Sequence, residues 1–144
     1  MKKIFFLILL STTISLAQKK SSLSSTPSSL DTIVLAGGCY WCVEAVYENL
    51  KGVQKVVSGF AGGTVKNPSY EAVSSGTTGA AEVVQITFNK NETNLDEIFK
   101  VFFTVHDPTT LNRQGADVGT QYRSAIFFKD EAQKKAGQQI IQAL

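Results

Sequence analysis

The spacing of apolar residues after residue 31 predicts four β-strands, each bounded by glycine or polar residues. The third is the clearest, because Val84, Ile86 and Phe88 would share one face of an alternating strand. The first is a short β-branched run that ends at two glycines, which is typical of a buried strand. The predicted strands span residues 32–36, 53–60, 82–88 and 122–128.

Two helices are predicted among the first three strands. The spacing becomes helical from Cys39, and Gly52 ends that helix. A short second helix is predicted over 68–75, with Pro68 in its first turn. The apolar stripe of the first helix is predicted to contain Trp41, Ala45, Val46 and Leu50.

Two further helices are predicted from their capping residues. Asn94 is a typical N-cap with Glu97 at the third position, and that helix must end near Pro108. Asp130 is a typical N-cap for a last helix, which continues to Leu144. Strands that alternate with helices around one sheet predict an α/β or α+β sandwich, although this pattern alone leaves the strand order open.

The polar segment 109–121 separates the third helix from the fourth strand. It is too long for a simple turn, and loops of this length inside a compact domain often carry function. We therefore treat it as a candidate functional loop.

The N-terminal segment has the pattern of a secretory signal peptide. Lys2 and Lys3 precede an apolar run over 4–10, and a small residue, Ala17, lies at the expected cleavage site. The run is too short to span a membrane, which takes about 20 residues. We predict a signal peptide over 1–17, with an uncleaved N-terminal anchor as the alternative.

Residues 18–31 are rich in Ser and Lys and are predicted to form a flexible tether. The folded domain is then predicted over 32–144, in an exported protein that is periplasmic or secreted and is not inserted in the membrane after cleavage. The formal charge is +2 from 14 basic and 12 acidic residues. Loss of Lys2 and Lys3 leaves 12 against 12, and no basic stripe is present, so no nucleic-acid partner is expected.

The two cysteines, Cys39 and Cys42, are in C-x-x-C spacing. A disulfide across so short a loop removes little chain entropy, so it would be a poor structural staple. Together with one distant histidine, His106, they fall short of the four ligands of a closed zinc site, and no metal site is predicted. Redox chemistry is therefore favoured.

The strand and the Gly-Gly turn place Cys39 at a helix N-terminus, where backbone N–H groups and the helix dipole favour a thiolate. Cys42 lies about one turn further on, where it could attack an oxidised Cys39. The spacing also fits a thioredoxin-like disulfide oxidoreductase or two buried, inactive thiols. Tyr40 and Trp41, between the cysteines, could be core residues or an apolar wall for a substrate.

The segment AGGCYWCVE at residues 36–44 resembles the active-site segment of the peptide methionine sulfoxide reductase A family. Four further segments resemble the same family at the expected distances, so the resemblance covers residues 32–144. They are SGFAGG at 58–63, KNPSYE at 66–71, HDPT at 106–109 and LNRQGADVGTQYRS at 111–124.

The resemblance implies an α+β fold, a two-layer sandwich with a ferredoxin-like split βαβ core. It implies that Cys39 is the nucleophile and that Glu82 is the acid. It also implies that the aromatic pair holding the sulfoxide methyl group is Tyr40 and Trp41, although the family more often has Phe at the first position. The remaining site residues implied by the resemblance are Tyr70 and Tyr122, which would contact the sulfoxide oxygen, and Asp117.

The activity implied is reduction of methionine S-sulfoxide, free or in proteins, through a Cys39 sulfenic acid. Cys42 would be the resolving residue and would form a disulfide with Cys39, which a thioredoxin-like donor would reduce. No bound cofactor is expected, only this external thiol reductant, and we expect a monomer. These residue types suit the chemistry, because a protonated carboxyl can supply a proton to the leaving oxygen and phenols can hydrogen-bond it.

Structural alternatives exist for each distant residue. Glu82 could be an ordinary strand residue, the two tyrosines could be half-buried structural phenols, and Asp117 could form a turn. His106, in the last turn of the third predicted helix, is interpreted as structural.

Two departures from the family pattern stand out. Ala80 occupies a position where the family usually has His. The chain also ends within the last predicted helix, and we expect that the C-terminal part of the family scaffold is missing. A general thiol–disulfide oxidoreductase and a non-catalytic remnant are the rival hypotheses.

Overall fold

The computed structural model describes residues 29–144. Its main sheet has four strands in the order β2-β3-β1-β6, with every neighbouring pair antiparallel. A separate two-stranded hairpin precedes the last strand of the main sheet along the chain. The strands are β1 Leu30–Ala36, β2 Val53–Ala61, β3 Ala81–Asn89, β4 Arg113–Gln114, β5 Asp117–Val118 and β6 Ala125–Phe127.

The topology is a split βαβ arrangement. Strands β1 and β2 are joined through α1, and both are antiparallel to β3, which lies between them. Strands β3 and β6 are joined through α3, and both are antiparallel to β1, which lies between them. The predicted ferredoxin-like α+β core is thereby confirmed. The helices are α1 Tyr40–Tyr47, α2 Tyr70–Ser74, α3 Leu95–Val105 and α4 Glu131–Ala143.

The alternating side chains of the strands divide the interior into two unequal parts. On one face of the sheet, strand residues such as Leu35 and Val84 pack with Val43 and Tyr47 of α1 and with Phe99 of α3 in the main core. On the other face a smaller cluster is built from short side chains, Ala36, Ala81 and Val83. Since residues two apart on a strand share a face, Glu82 lies on the same face as Val84, beneath the helices.

The capping predictions for the last two long helices are confirmed. The Asn94 side chain accepts a hydrogen bond from the Glu97 N–H at 3.0 Å, and the Asp130 side chain accepts one from the Gln133 N–H at 2.9 Å. Each bond satisfies a backbone donor that has no partner within its own helix. The Ser69 side chain caps α2 in the same way.

The predicted apolar stripe of α1 is wrong. Val43 and Tyr47 are the buried residues of this helix, whereas Trp41 is 70% exposed and Ala45 is also exposed. The hydroxyl of Tyr47 donates a hydrogen bond to the Ile98 carbonyl at 2.8 Å, which anchors the buried face to α3. Because α1 turns the face with Val43 and Tyr47 towards the core, Trp41 lies at the surface.

The fourth main-sheet strand is shorter than predicted. Only Ala125–Phe127 pairs with β1, and Tyr122 belongs instead to a 3-10 turn at Thr120–Tyr122. That turn follows Gly119, whose φ of 149° L side chains rarely adopt. The predicted strand thus begins too early, because the chain is still turning at Tyr122.

The first strand begins at Leu30, two residues before the predicted start. The predicted signal peptide, residues 1–17, and nearly all of the predicted tether lie outside the described residues. Among residues 29–144, no helix is both long enough and apolar enough to cross a membrane.

Candidate active site

The turn before α1 determines where Cys39 lies. Gly38 has a φ of +89°, and a Cβ at Gly37 would come within 2.8 Å of the Phe102 ring. Both positions therefore favour glycine, one for its backbone conformation and one for lack of space. Cys39 follows as the N-cap of α1, and its carbonyl accepts hydrogen bonds from the backbone N–H groups of Cys42 at 3.1 Å and Val43 at 3.3 Å.

The two thiols are reduced neighbours. Cys39 is partly exposed, makes no side-chain capping bond, and lies within hydrogen-bonding reach of Cys42, which is exposed. A hydrogen bond to Cys39 and the charge of a Cys39 thiolate raise the pKa of Cys42, and the carboxylate of Asp117 adds to this. These surroundings therefore favour the neutral thiol at Cys42.

Glu82 is a buried carboxyl group at the start of α1, the helix that follows Cys39. Its side chain is 2% exposed, and its Oε2 accepts a hydrogen bond from the Tyr40 N–H, at the first residue of α1, at 3.1 Å. Burial raises the pKa of Glu82 and the nearby Asp117 carboxylate raises it further, while the Tyr40 N–H opposes both. The environment therefore favours a carboxyl that retains its proton above the usual range for glutamate.

Three aromatic side chains form a stack beside this carboxyl. The ring of Tyr40 lies 5.9 Å from that of Trp41, nearly parallel to it, and 5.8 Å from that of Phe60. Phe60 is the direct register partner of Glu82 across β2 and β3. Sequence reasoning did not select Phe60 as a site residue, although it lies in the SGFAGG segment that resembles the family.

The remaining predicted residues are Tyr70, Asp117 and Tyr122, whose charges interact with Glu82 or with one another. Burial first, and then Glu82, Tyr70 and Asp117, raise the pKa of Tyr122, which is half-buried. Tyr70 is the first residue of α2 and is 51% exposed. After burial and Glu82, it also raises the pKa of Tyr40. Residues from α1, α2, β3, β5 and the 3-10 turn therefore come together, as the resemblance implies, while their individual catalytic roles stay predictions.

Arg123 connects two parts of this neighbourhood and was not predicted. Its guanidinium donates to the carbonyl of Thr120 at 2.8 Å and to that of Gly79 at 3.0 Å. The bonds tie the turn containing Tyr122 to the segment that leads into Glu82. Two carbonyl acceptors arranged around one planar guanidinium suit arginine better than lysine.

Ala80, the departure from the family pattern, is buried between Glu82 and the Gly62–Gly63 turn. Its N–H donates to the Thr78 hydroxyl at 3.2 Å, and its methyl group lies 2.8 Å from where a Cβ at Gly63 would be. The small side chain thus packs against a glycine, and the hydrogen bond between Glu82 and Tyr40 is retained beside it.

His106 is buried in an aromatic stack against the turn that precedes Cys39, since a Cβ at Gly37 would lie 3.2 Å from its Cγ. Its Nδ1 is 2.6 Å from the Phe102 carbonyl and its ring centroid is 4.0 Å from that of Phe102. Burial lowers the pKa of His106, so the neutral imidazole is favoured. Within residues 29–144, no group of three or more His, Cys, Asp or Glu side chains could hold a metal ion.

The site therefore combines two reduced thiols, a buried carboxyl and several phenols on a ferredoxin-like fold, a set suited to thiol-based redox chemistry. Comparison with known families agrees: the peptide methionine sulfoxide reductase family matches residues 31–144. The chain belongs to this family, which confirms the resemblance found in the sequence.

Individual relatives support the same assignment. The peptide methionine sulfoxide reductase MsrA of Trichodesmium erythraeum is 53% identical over 115 residues, which are 80% of this chain and 65% of the relative. That of Deinococcus radiodurans is 48% identical over 131 residues, 90% of this chain and 64% of the relative. The chain thus spans about 65% of the length of these curated relatives.

Solved structures show the same fold. Methionine sulfoxide reductase A of Corynebacterium diphtheriae superposes with a TM-score of 0.74 at 35% identity, covering 82% of this chain and 55% of that chain. The reduced form of Mxr1 from Saccharomyces cerevisiae gives 0.72 at 36% identity, covering 78% of this chain and 67% of that chain.

Proposed function

We propose that this chain reduces methionine sulfoxide, free or in proteins, to methionine, with Cys39 as the nucleophile. The observation that carries the proposal is the buried Glu82, which accepts a hydrogen bond from the N–H of Tyr40, the residue after Cys39, and whose pKa is raised by burial. This supports a role for Glu82 as the proton donor. Family membership supports the same substrate. A buried thiol pair with no catalytic role does not account for an acid held in this way.

The first step transfers oxygen from the substrate to the enzyme. The Cys39 thiolate attacks the sulfoxide sulfur, and Glu82 gives its proton to the sulfoxide oxygen. The attack forms a sulfur–sulfur bond to Cys39, and with a second proton from solvent the sulfur–oxygen bond of the substrate breaks and the oxygen leaves as water. This water attacks the Cys39 sulfur, the sulfur–sulfur bond breaks, methionine leaves with that electron pair and a proton returns to solvent, so that Cys39 becomes a sulfenic acid. The methionine sulfur gains two electrons and the Cys39 sulfur loses them, so the step needs no other oxidant or reductant.

The developing negative charge on the sulfoxide oxygen needs hydrogen-bond donors. Tyr70 and Tyr122 would supply them, since Glu82 and Tyr70 both influence the pKa of Tyr122. Hydrogen bonds from such phenols stabilise charge that appears only in the transition state. Tyr40 and Trp41 would hold the sulfoxide methyl group, with Phe60 stacked behind Tyr40. From the family resemblance we expect the S epimer at sulfur.

The second step regenerates a reducible enzyme. The Cys42 thiol attacks the sulfenic sulfur of Cys39, a disulfide forms, and water leaves. A thioredoxin-like dithiol then reduces this disulfide with two electrons and two protons. The exposure of Cys42 supports this order, because an external dithiol must reach the disulfide from solvent.

The same proposal includes export, from the pattern of residues 1–17. Cleavage after Ala17 would leave the reductase in the periplasm or outside the cell. N-terminal sequencing of protein recovered from the periplasmic or culture fraction tests it: a start at Gln18 is expected, and recovery of intact protein in the cytosol would contradict it.

The activity is tested by giving purified protein each epimer of a methionine sulfoxide substrate with dithiothreitol. Turnover of the S epimer is expected, with little of the R epimer. Cys39→Ser is the matched control, since it replaces one sulfur by oxygen, and it should abolish turnover. Equal turnover by wild type and Cys39→Ser would sink the proposal, and faster reduction of insulin disulfides than of sulfoxide would favour a general disulfide oxidoreductase.

A further inference from the structure

We propose that Gln114 is a positioning residue, which holds the β4–β5 hairpin and its Asp117 against the turn that carries Cys39. The inference rests on the proposed reductase function, since it assigns a role within that site. Gln114 lies in the polar segment predicted to be a functional loop, but neither its spacing nor the resemblance gave it a role.

The Gln114 side-chain amide bonds to both backbone polar groups of one residue, Asp107. Its Oε1 accepts a hydrogen bond from the Asp107 N–H at 3.1 Å, and its Nε2 donates to the Asp107 carbonyl at 3.1 Å. Asp107 is itself fixed, because its carboxylate accepts hydrogen bonds from the Thr109 N–H at 2.9 Å and from the Thr109 hydroxyl at 2.6 Å. The hairpin is therefore anchored to the end of α3 and not only to itself.

The methylene groups of Gln114 make the second contact. A Cβ built on Gly38 would lie 2.5 Å from Cγ of Gln114 and 2.6 Å from its Cβ. The Gln114 stem thus occupies the space over the Gly38 backbone, one residue before Cys39. This is the point at which the hairpin touches the turn of the nucleophile.

The hairpin has few other outward contacts. Its bonds from Arg113 Nε to the Gly115 carbonyl and from the Gly119 N–H to the Asn112 carbonyl close the segment on itself. A Cβ built on Gly115, at the tip of the hairpin, would meet no other atom within 4 Å. Beyond these bonds, the hairpin is held by Gln114 and by the Thr110 hydroxyl, which donates to the Arg113 carbonyl at 2.5 Å and to the Asp107 carbonyl at 3.4 Å. Gln114 alone of these two contacts also packs against the turn before Cys39.

Gln114 is also the direct register partner of Asp117 across β4 and β5. The position of Asp117 relative to Glu82 and Cys42 therefore depends on how the hairpin is held. The titratable groups that act on or with Glu82 are Asp117 on β5, Tyr40 on α1 and Tyr122 in the 3-10 turn, and Arg123 bonds to the segment before β3.

The test uses Gln114→Met, which keeps the stem over Gly38 and removes both amide bonds. At a temperature where the protein is fully folded, kcat for sulfoxide reduction should fall about tenfold, which is equivalent to about 1.4 kcal/mol. The alkaline limb of the pH–rate profile should move to lower pH, because Asp117 no longer sits beside Glu82. Gln139→Met, the same change on the exposed face of α4, should alter neither.

Asp117→Asn shows whether Gln114 acts through Asp117. Adding Gln114→Met to Asp117→Asn should move the alkaline limb no further. An equal shift in both backgrounds, or an unchanged kcat and pH profile in folded Gln114→Met, would overturn the proposal. If Gln114→Met does not fold, Gln114→Glu keeps the acceptor for the Asp107 N–H, and a kcat at the wild-type level would overturn it instead.

Titration of the Glu82 carboxyl by ¹³C NMR separates this proposal from the proposed function. It needs no turnover, and the Glu82 pKa should fall in Gln114→Met. A fall in a protein that does not reduce sulfoxide would leave Gln114 positioning Asp117 while the proposed function fails. No change in a protein that does reduce sulfoxide would overturn the role of Gln114 alone.

Discussion

Glu82 and His106 are two buried titratable side chains with opposite surroundings. Each has one backbone partner, the Tyr40 N–H for Glu82 and the Phe102 carbonyl for His106. Burial raises the pKa of Glu82 and lowers that of His106, so both are driven towards their neutral forms. Desolvation alone therefore does not distinguish a catalytic group from a structural one.

The neighbours make the difference. Glu82 accepts a hydrogen bond from Tyr40, the residue after Cys39, and after burial it contributes most to the raised pKa values of Tyr40 and Tyr122. His106 stacks on Phe102 and Phe103, and its Nε2 has no hydrogen-bond partner within residues 29–144. A neutral carboxyl bonded to the residue after Cys39 could deliver a proton in the proposed reaction, whereas a neutral imidazole packed among aromatic rings and against Gly37 is assigned a structural role.

The largest expected effect comes from Glu82→Gln. The amide oxygen can still accept the Tyr40 N–H, but the side chain cannot give its proton to the sulfoxide oxygen. We expect kcat to fall by about 10²–10⁴, with the protein still folded. Steady-state kinetics together with a melting curve checks this, and a folded variant with wild-type kcat would show that Glu82 is not the acid.

A smaller loss is expected from Tyr122→Phe. Removing one hydrogen-bond donor to the sulfoxide oxygen should lower kcat about fivefold, as expected for about 1 kcal/mol. Tyr47→Phe is the matched control, since the Tyr47 hydroxyl bonds only to the Ile98 carbonyl in the core. That control should lower stability and leave kcat near the wild-type value, and the opposite pattern would remove Tyr122 from the mechanism.

The smallest effect on activity is expected from His106→Phe. The aromatic stack is kept, one hydrogen bond is lost and an unpartnered nitrogen is removed, so the free energy of unfolding should change by about 1 kcal/mol or less. Turnover should stay within about twofold of the wild type. A loss comparable to that of Glu82→Gln would place His106 in the chemistry and break the comparison.

The two residues should give stability opposite pH dependences. The raised pKa of Glu82 means that its contribution is fully present below the unfolded value of 4.5 and is lost as pH rises through the folded pKa. The lowered pKa of His106 means that its contribution is present above 6.5 and is lost as pH falls through the folded pKa. Urea midpoints against pH should lose the first slope in Glu82→Gln and the second in His106→Phe.

Local signals predicted most of the fold. The caps at Asn94 and Asp130 depend on residues only three positions away, and both are found in the structure. The fourth strand was predicted wrongly at Tyr122, because its conformation depends on Gly119 and on a bond from Arg123 to Gly79, 44 residues away. Tertiary contacts of that kind leave no trace in the spacing of apolar residues.

Some parts of the candidate site could be predicted from local sequence, whereas others depend on contacts between distant residues. The Gly-Gly turn indicated Cys39 at a helix start from local sequence alone. The contact between Tyr40 and Glu82 spans 42 residues, so only the family resemblance could suggest it. Phe60 and Gln114 were missed because their roles come from strand register and from a close approach to Gly38.

The central claim is that Cys39 takes the oxygen and that Cys42 then closes a disulfide with it. Intact-mass analysis after one turnover of methionine S-sulfoxide, without any reductant, tests this most directly. The account predicts one methionine per protein and a protein mass lower by two hydrogens. Methionine formed by a protein that has gained one oxygen would contradict the role of Cys42, and an unchanged mass without methionine would contradict the role of Cys39.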